Sequence, residues 1–165
     1  MIKKIIIGIS ILLLIVLVYK YKVKIAQAQV IEDARIAKVE EKNRIDTMTV
    51  PELIDYIAPQ YGANPDLIKK IAFCEAGYRY FPVHDGGAGV GTTGYQKNTF
   101  KDDQKRFNRP DLVYESNFDQ LTMMSISFQA GEKYRNRWTT YVAYNNGGAY
   151  TFVDRKGVKH TARCN

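Results

Sequence analysis

Residues 5–19, IIIGISILLLIVLVY, form an unbroken apolar run without a single charge. A helix rises about 1.5 Å per residue, so the run reaches roughly 22 Å, short of the ~30 Å hydrocarbon core of a bilayer. Ile2 and the stems of the flanking lysines extend it, and Tyr19 and Tyr21 suit the membrane–water interface. The pattern predicts a transmembrane anchor over residues 1–22. A cleaved signal peptide is the competing reading, because Ala26-Gln27-Ala28 resembles a cleavage site. The three lysines between the run and that site argue against cleavage.

Beyond the run the pattern changes. Residues 23–48 lack Pro and Gly, and Val23, Ala26, Val30, Ala34 and Ala37 recur at helical spacing. They predict a helical stalk continuing from the anchor. From residue 49 the signals are those of a compact domain, 49–165. Thr49 is a candidate helix cap, followed by Pro51, Glu52 and the apolar Leu53, Ile54 and Ile57, and Gly62 closes that unit. Asn64, Pro65 and Asp66 open a second helix, LIKKIAFCEAG, with an apolar face at Leu67, Ile68, Ile71 and Ala72 and an end at Gly77. Residues 78–110 are rich in Gly, Asp, Lys and Asn, which predicts a long loop region with a short helix near 99–106. Helical patterns return over 117–134 and 136–145, and the tail alternates about Arg155-Lys156-Gly157 as a small hairpin. The expected class is mainly α.

Composition is ordinary for a globular chain, with 45% hydrophobic and 25% charged residues. The net charge of +7 suggests a nucleic-acid partner until its placement is considered. Lys3, Lys4, Lys20, Lys22 and Lys24 all flank the apolar run, and residues 25–165 carry 19 basic against 17 acidic side chains. A net of +2 disfavours nucleic acid. The lysines on the two sides of the run nearly balance, so the positive-inside count leaves orientation open. Two histidines, His84 and His160, and two cysteines, Cys74 and Cys164, give no metal-site spacing, and no cofactor is implied. The cysteines are either separate buried thiols or, outside the cytoplasm, a disulfide.

Gly89-Val90-Gly91-Thr92-Thr93-Gly94 matches the dinucleotide fingerprint G-x-G-x-x-G in letters alone. A true fingerprint follows a hydrophobic strand and opens a helix. Here a helix and an aromatic stretch precede it, and Gly94 is followed by Tyr95-Gln96 rather than Lys-Ser/Thr. The glycines serve turns or let backbone approach a ligand.

Glu75 stands in the last turn of an apolar helix, where the helix dipole does not favour a carboxylate. It is either a solvent-facing residue or a general acid held over a cleft. Three segments, IAFCEAGYRY, GVGTTGYQKNTF and WTTYVAYNNGG, follow one another in that order. Over residues 50–150 the chain resembles the catalytic domain of soluble lytic transglycosylases and the related goose-type lysozymes. The resemblance implies a lysozyme-like fold, with Glu75 as catalytic acid/base and Gly94, Gln96 and Thr99 in the Gly-Leu-Met-Gln…Thr positions. It places Tyr144 and Asn145 as the Tyr-Asn pair that orients the glutamate and contacts the sugar, with Gly147 as that motif's glycine. Tyr95, flanking the motif, joins them as a substrate-binding candidate. Ala76 stands where the family has Ser, Gly94-Tyr95-Gln96 is one residue shorter than the family motif, and Asn146 replaces Ala.

Most glycosidases use two carboxylates, and none of Asp85, Asp102 and Asp103 lies in a recognisable motif. The resemblance implies instead a single glutamate cleaving the β-1,4 bond between N-acetylmuramic acid and N-acetylglucosamine to give 1,6-anhydro ends. The alternatives are a hydrolytic lysozyme on the same fold and a non-catalytic peptidoglycan-binding or assembly protein. With peptidoglycan as partner, the domain lies outside the cytoplasmic membrane, and a disulfide between Cys74 and Cys164 ties the tail behind the catalytic helix. Trp138 is expected in the core, and Tyr141 either packs there or offers a ring face to sugar.

Overall fold

A computed structural model of the chain describes residues 2–84, 89–153 and 157–164, with side chains from Leu17 onward except those of residues 82–84. Asp85 and the Arg155-Lys156 part of the expected hairpin turn lie outside the described residues. The chain is mainly helical and divides into two compact units, Met1–Thr47 and Met48–Asn165.

The first unit is one helix, α1 (Ile2–Thr47), which continues without a break across the boundary between expected anchor and stalk. Arg35 pairs with Glu32 and Arg44 with Glu41 along its surface. Such exposed pairs add little, so the helix rests chiefly on a sequence free of Pro and of Gly after Gly8. Among the described residues no helix is long and apolar enough to cross a membrane. The apolar run itself lies, apart from Leu17, Val18 and Tyr19, outside the residues whose side chains are described.

The second unit starts where the capping signals place it. The Thr49 backbone N–H and hydroxyl both donate to the Glu52 carboxylate at 2.7 Å, opening α2 (Val50–Ile57). A 3-10 turn (Ala58–Tyr61) follows and stops at Gly62, whose φ of 69° is left-handed. The Asn64 side chain accepts from the backbone N–H groups of Asp66 and Leu67, and α3 (Pro65–Ala76) runs from that cap to Gly77. Strands β1 (Phe81–His84), β2 (Gly89–Gly91) and β3 (Tyr95–Gln96) then form an antiparallel sheet in sequence order, with Phe81 opposite Gly91 and Val90 opposite Tyr95. Helix α4 (Lys97–Arg106) follows at once. The remaining elements are α5 (Asn117–Gln129), α6 (Glu132–Arg135), α7 (Thr139–Asn145) and the hairpin β4 (Ala149–Val153) with β5 (Lys159–Arg163).

The core forms around α5, whose Leu121, Met123, Met124 and Phe128 are almost wholly buried beside Gln120 and Ser127. Helices α2 and α3 pack on it through Ile54, Ile57, Ile68 and Ile71. Burial of one such side chain stabilises by about 1.5–3 kcal/mol. A helix enclosed by others is buried on all sides, which is why α5 carries no amphipathic stripe.

The structure corrects the sequence reading in three places. The loop region 78–110 contains the three-stranded sheet. The helical pattern over 117–134 is two helices, separated at Gly131, whose φ of 117° no helix accommodates. The pattern over 136–145 becomes helical only at Thr139, with Trp138 as its cap residue.

Candidate active site

Glu75 occupies the final turn of α3. The buried stripe of that helix passes through Ile68, Ile71 and Ala72, and Glu75 continues it one turn on, half-buried between Cys74 and the buried Ala76. Gly77 (φ 56°) terminates the helix immediately afterwards. The Thr140 hydroxyl on α7 donates to Glu75 Oε1 at 2.5 Å. Thr140 is placed by its neighbour Trp138, which is buried and donates its indole N–H to the Thr93 carbonyl at 2.9 Å. Trp138 and Tyr141 therefore belong to the core.

A cleft of about 670 Å³ opens at Glu75. Gly94, Tyr95, Gln96 and Thr99 line it from the β2–β3 hairpin and the start of α4, and Trp138 and Thr139 line it from the turn into α7. Asp102, Arg106 and Arg137 add charges of both signs, and Phe152 and His160 border it from the C-terminal hairpin.

The glycine-rich run forms this wall as a β-hairpin. Strand β2 ends at Gly91, residues 92–94 turn, and β3 returns, so no phosphate-binding helix start follows the glycines. A Cβ on Gly91 would lie 2.3 Å from the Gln120 side-chain oxygen, and the residue's φ is 85°. The turn is fixed to α5 by two side-chain amides. Asn117 Oδ1 accepts from the Thr92 N–H and hydroxyl at 3.2 and 2.7 Å. Gln120 Oε1 accepts from the Thr93 hydroxyl at 2.8 Å, while its NH2 donates to the Tyr114 carbonyl at 2.7 Å. Both threonines are fully buried. A buried polar group without a partner is costly, so these bonds hold the hairpin in one position.

Below the hairpin, Asp103 is completely buried. Its carboxylate accepts from the Tyr95 hydroxyl at 2.8 Å and from the guanidinium groups of Arg106 and Arg137. Asp103 thereby orients two of the cleft's arginines from beneath, while the adjacent Asp102 borders the cleft itself. Tyr95 is only 3% exposed, its ring edge-on to Phe100 and Trp138. It forms wall rather than a ring face open to ligand. Burial, then the nearby Asp103 charge, push its hydroxyl well above the ordinary tyrosine pKa.

Cys74 and Cys164 form a disulfide with Cα atoms 5.3 Å apart. One end is the neighbour of Glu75 and the other directly follows β5, so the hairpin is tied to the helix carrying the carboxylate.

The structure thus gathers Glu75, Gly94, Tyr95, Gln96 and Thr99 at one cleft. Tyr144 and Asn145, expected beside the glutamate, line a separate depression with Asn64, Asp66, Lys70 and Arg135. Both are exposed, and one turn earlier on α7 Thr140 donates to Glu75. The helical spacing of Thr140 and Tyr144 was the one signal for this, since residues four apart share a face. Asn117, Gln120 and Asp103 carried no sequence signal. They act through partners 25, 27 and 34 positions away. Compared with models of known protein families, with curated proteins and with solved structures, the chain matches none.

Proposed function

We propose that the chain cleaves peptidoglycan glycan strands, as a lytic transglycosylase with Glu75 as its single acid/base on a lysozyme-like domain. The observation that carries this reading is the meeting of Glu75 with Gly94, Gln96 and Thr99, from separate motifs, around one cleft of about 670 Å³. That volume falls within the range of about 300–1,000 Å³ common for ligand sites.

The chemistry follows from one carboxyl group. Its carbonyl oxygen accepts from Thr140, which fixes the rotamer, and the other oxygen carries the acid proton. That proton passes to the glycosidic oxygen as the bond from C1 of N-acetylmuramic acid breaks, and N-acetylglucosamine leaves as the free alcohol. The resulting carboxylate takes the proton of the muramoyl 6-hydroxyl, whose oxygen bonds to C1 and closes the 1,6-anhydro ring. Glu75 ends protonated, ready for the next bond. Thr140 is a positioning residue in this scheme, and the Trp138–Thr93 bond in turn positions α7.

A second reading is favoured by Asp102, a further carboxylate on the same cleft. Two carboxylates can split the roles of acid and base and admit water, giving a hydrolytic lysozyme. In either case the catalytic unit faces the wall outside the cytoplasmic membrane, with the N-terminal helix as anchor. The Cys74–Cys164 disulfide supports an oxidising compartment.

The test is mass analysis of fragments released from purified peptidoglycan by the full-length chain in detergent, with Glu75→Gln beside it. Fragments lighter by one water than their reducing-end counterparts, and absent with the variant, are expected. Reducing ends would select the hydrolytic reading. Release by Glu75→Gln at the wild-type rate would overturn both.

A further inference from the structure

The aromatic rings of the second unit fall into two kinds of arrangement. In the core they lock at steep angles: Tyr95 meets Trp138 at 86° and Phe100 at 87°, and Phe128 meets Tyr141 at 72°. On the C-terminal hairpin they lie nearly parallel. Tyr150 and Phe152 are 5.8 Å apart at 14°, and Phe152 and His160 are 5.3 Å apart at 22°.

The pleat explains this row. Tyr150 and Phe152 are two residues apart on β4 and so share a face, and Phe152 is directly opposite His160 on β5. Thr151 and Val153 point the other way, with Thr151 opposite Thr161. Among the described residues, the hairpin meets the cleft on its ring-bearing face, through Phe152 and His160. The hairpin is also held in place: the Cys164 N–H donates to the Gly148 carbonyl at 3.0 Å, and Cys164 is bonded to Cys74 beside Glu75.

We infer that Phe152 and His160 form a stacking wall for a pyranose ring of the bound glycan, a subsite set by the disulfide at a fixed place relative to Glu75. The inference rests on the proposed function and adds a specificity element to it. In a β-1,4-linked N-acetylhexosamine the axial C–H bonds project from the ring faces. They carry partial positive charge, which the negative face of an aromatic ring attracts. An aromatic row beside the polar groups of Gln96, Thr99 and Asp102 matches the two surfaces of such a sugar, apolar faces and a hydroxylated edge.

The experiment measures retention of the full-length chain, in detergent micelles, on insoluble peptidoglycan in a Glu75→Gln background, so that binding is read without cleavage. Phe152→Ala and His160→Ala should each weaken retention roughly threefold to tenfold. Phe152→Tyr and His160→Phe, which keep a ring, should retain most of it. Val153→Ser, on the opposite face and 63% exposed, should bind as the parent does. If Phe152→Ala fails to fold, the two substitutions at the exposed His160 decide the question. Unchanged retention for His160→Ala and Phe152→Ala, with the parent still bound, overturns the stacking wall and leaves the proposed cleavage standing. Loss in His160→Phe equal to that in His160→Ala also overturns it. A parent that is not retained, from a wild type that releases nothing, removes the function and the wall together.

Discussion

Tyr95 links the hairpin wall to the buried charge beneath it, and its hydroxyl proton has consequences for stability. The phenol donates to Asp103 and lies 3.2 Å from the Ser127 hydroxyl. The native state holds that proton more tightly than the unfolded chain, where a tyrosine titrates near 10. Its stabilisation is therefore present below pH 10 and is lost progressively as pH rises above 10. Tyr95→Phe should flatten that alkaline decline. At neutral pH it should cost about 1–3 kcal/mol, since Asp103 loses a buried donor. Urea unfolding of both proteins at neutral pH and above pH 10 checks this, and equal alkaline slopes would contradict it. Single residues were legible in the sequence chiefly through the resemblance. The local pattern left Glu75 open between a solvent-facing residue and an acid, and Gln96 and Thr99 stood out only by their places in a glycine-rich motif. Thr140 was not legible, because its role exists only once α3 and α7 are side by side.

At the scale of elements, the β2–β3 hairpin is shaped by what lies behind it. Gly91 is required on two counts, a φ of 85° and the Gln120 oxygen where a Cβ would sit. Gln120 cannot simply turn aside, since Thr93 and Tyr114 hold both ends of its amide. Gly91→Ala should destabilise the second unit by at least about 2 kcal/mol, read as a lower urea midpoint with an unchanged slope. A midpoint equal to wild type would mean that the turn shifts without cost. The helices α2 and α3 were legible to within a residue because cap, Pro, first-turn acid and terminal Gly lie next to one another. Strands β1 to β3 were hidden because β2 is Gly-Val-Gly and β3 has two residues, too short to show alternation. Their pairing comes from the turn chemistry and the amides of α5. The break at Gly131 was readable in principle, but a continuous apolar periodicity masked it.

On the scale of the whole molecule, a mainly helical unit of modest size gains a long-range covalent closure. Cys74 and Cys164 are 90 positions apart, and loop-entropy reasoning gives an upper value of about 4–5 kcal/mol for closing such a span. Cys164→Ser should lower the stability of the second unit by up to that amount. The same change should speed protease cleavage within the hairpin ahead of the core, because the hairpin loses its tie to α3. Denaturant curves with and without reductant, and the order of proteolytic fragments, give both readings. Identical curves would show that the closure adds nothing. The cysteine count allowed this bond and the resemblance favoured it, but only the fold brings residue 74 and residue 164 together.

That bond also fixes an order of events during synthesis. Its two ends are 90 positions apart, so a growing chain contains Glu75 and its helix well before the second sulfur exists. The hairpin must be made before its sulfur can be joined to Cys74, with the loss of two electrons to an oxidant. A chain interrupted short of residue 164, or kept reduced, carries the carboxylate without the covalently held wall. The covalent closure is thus the last constraint placed on the cleft, and it can form only after nearly the whole of the second unit has been made.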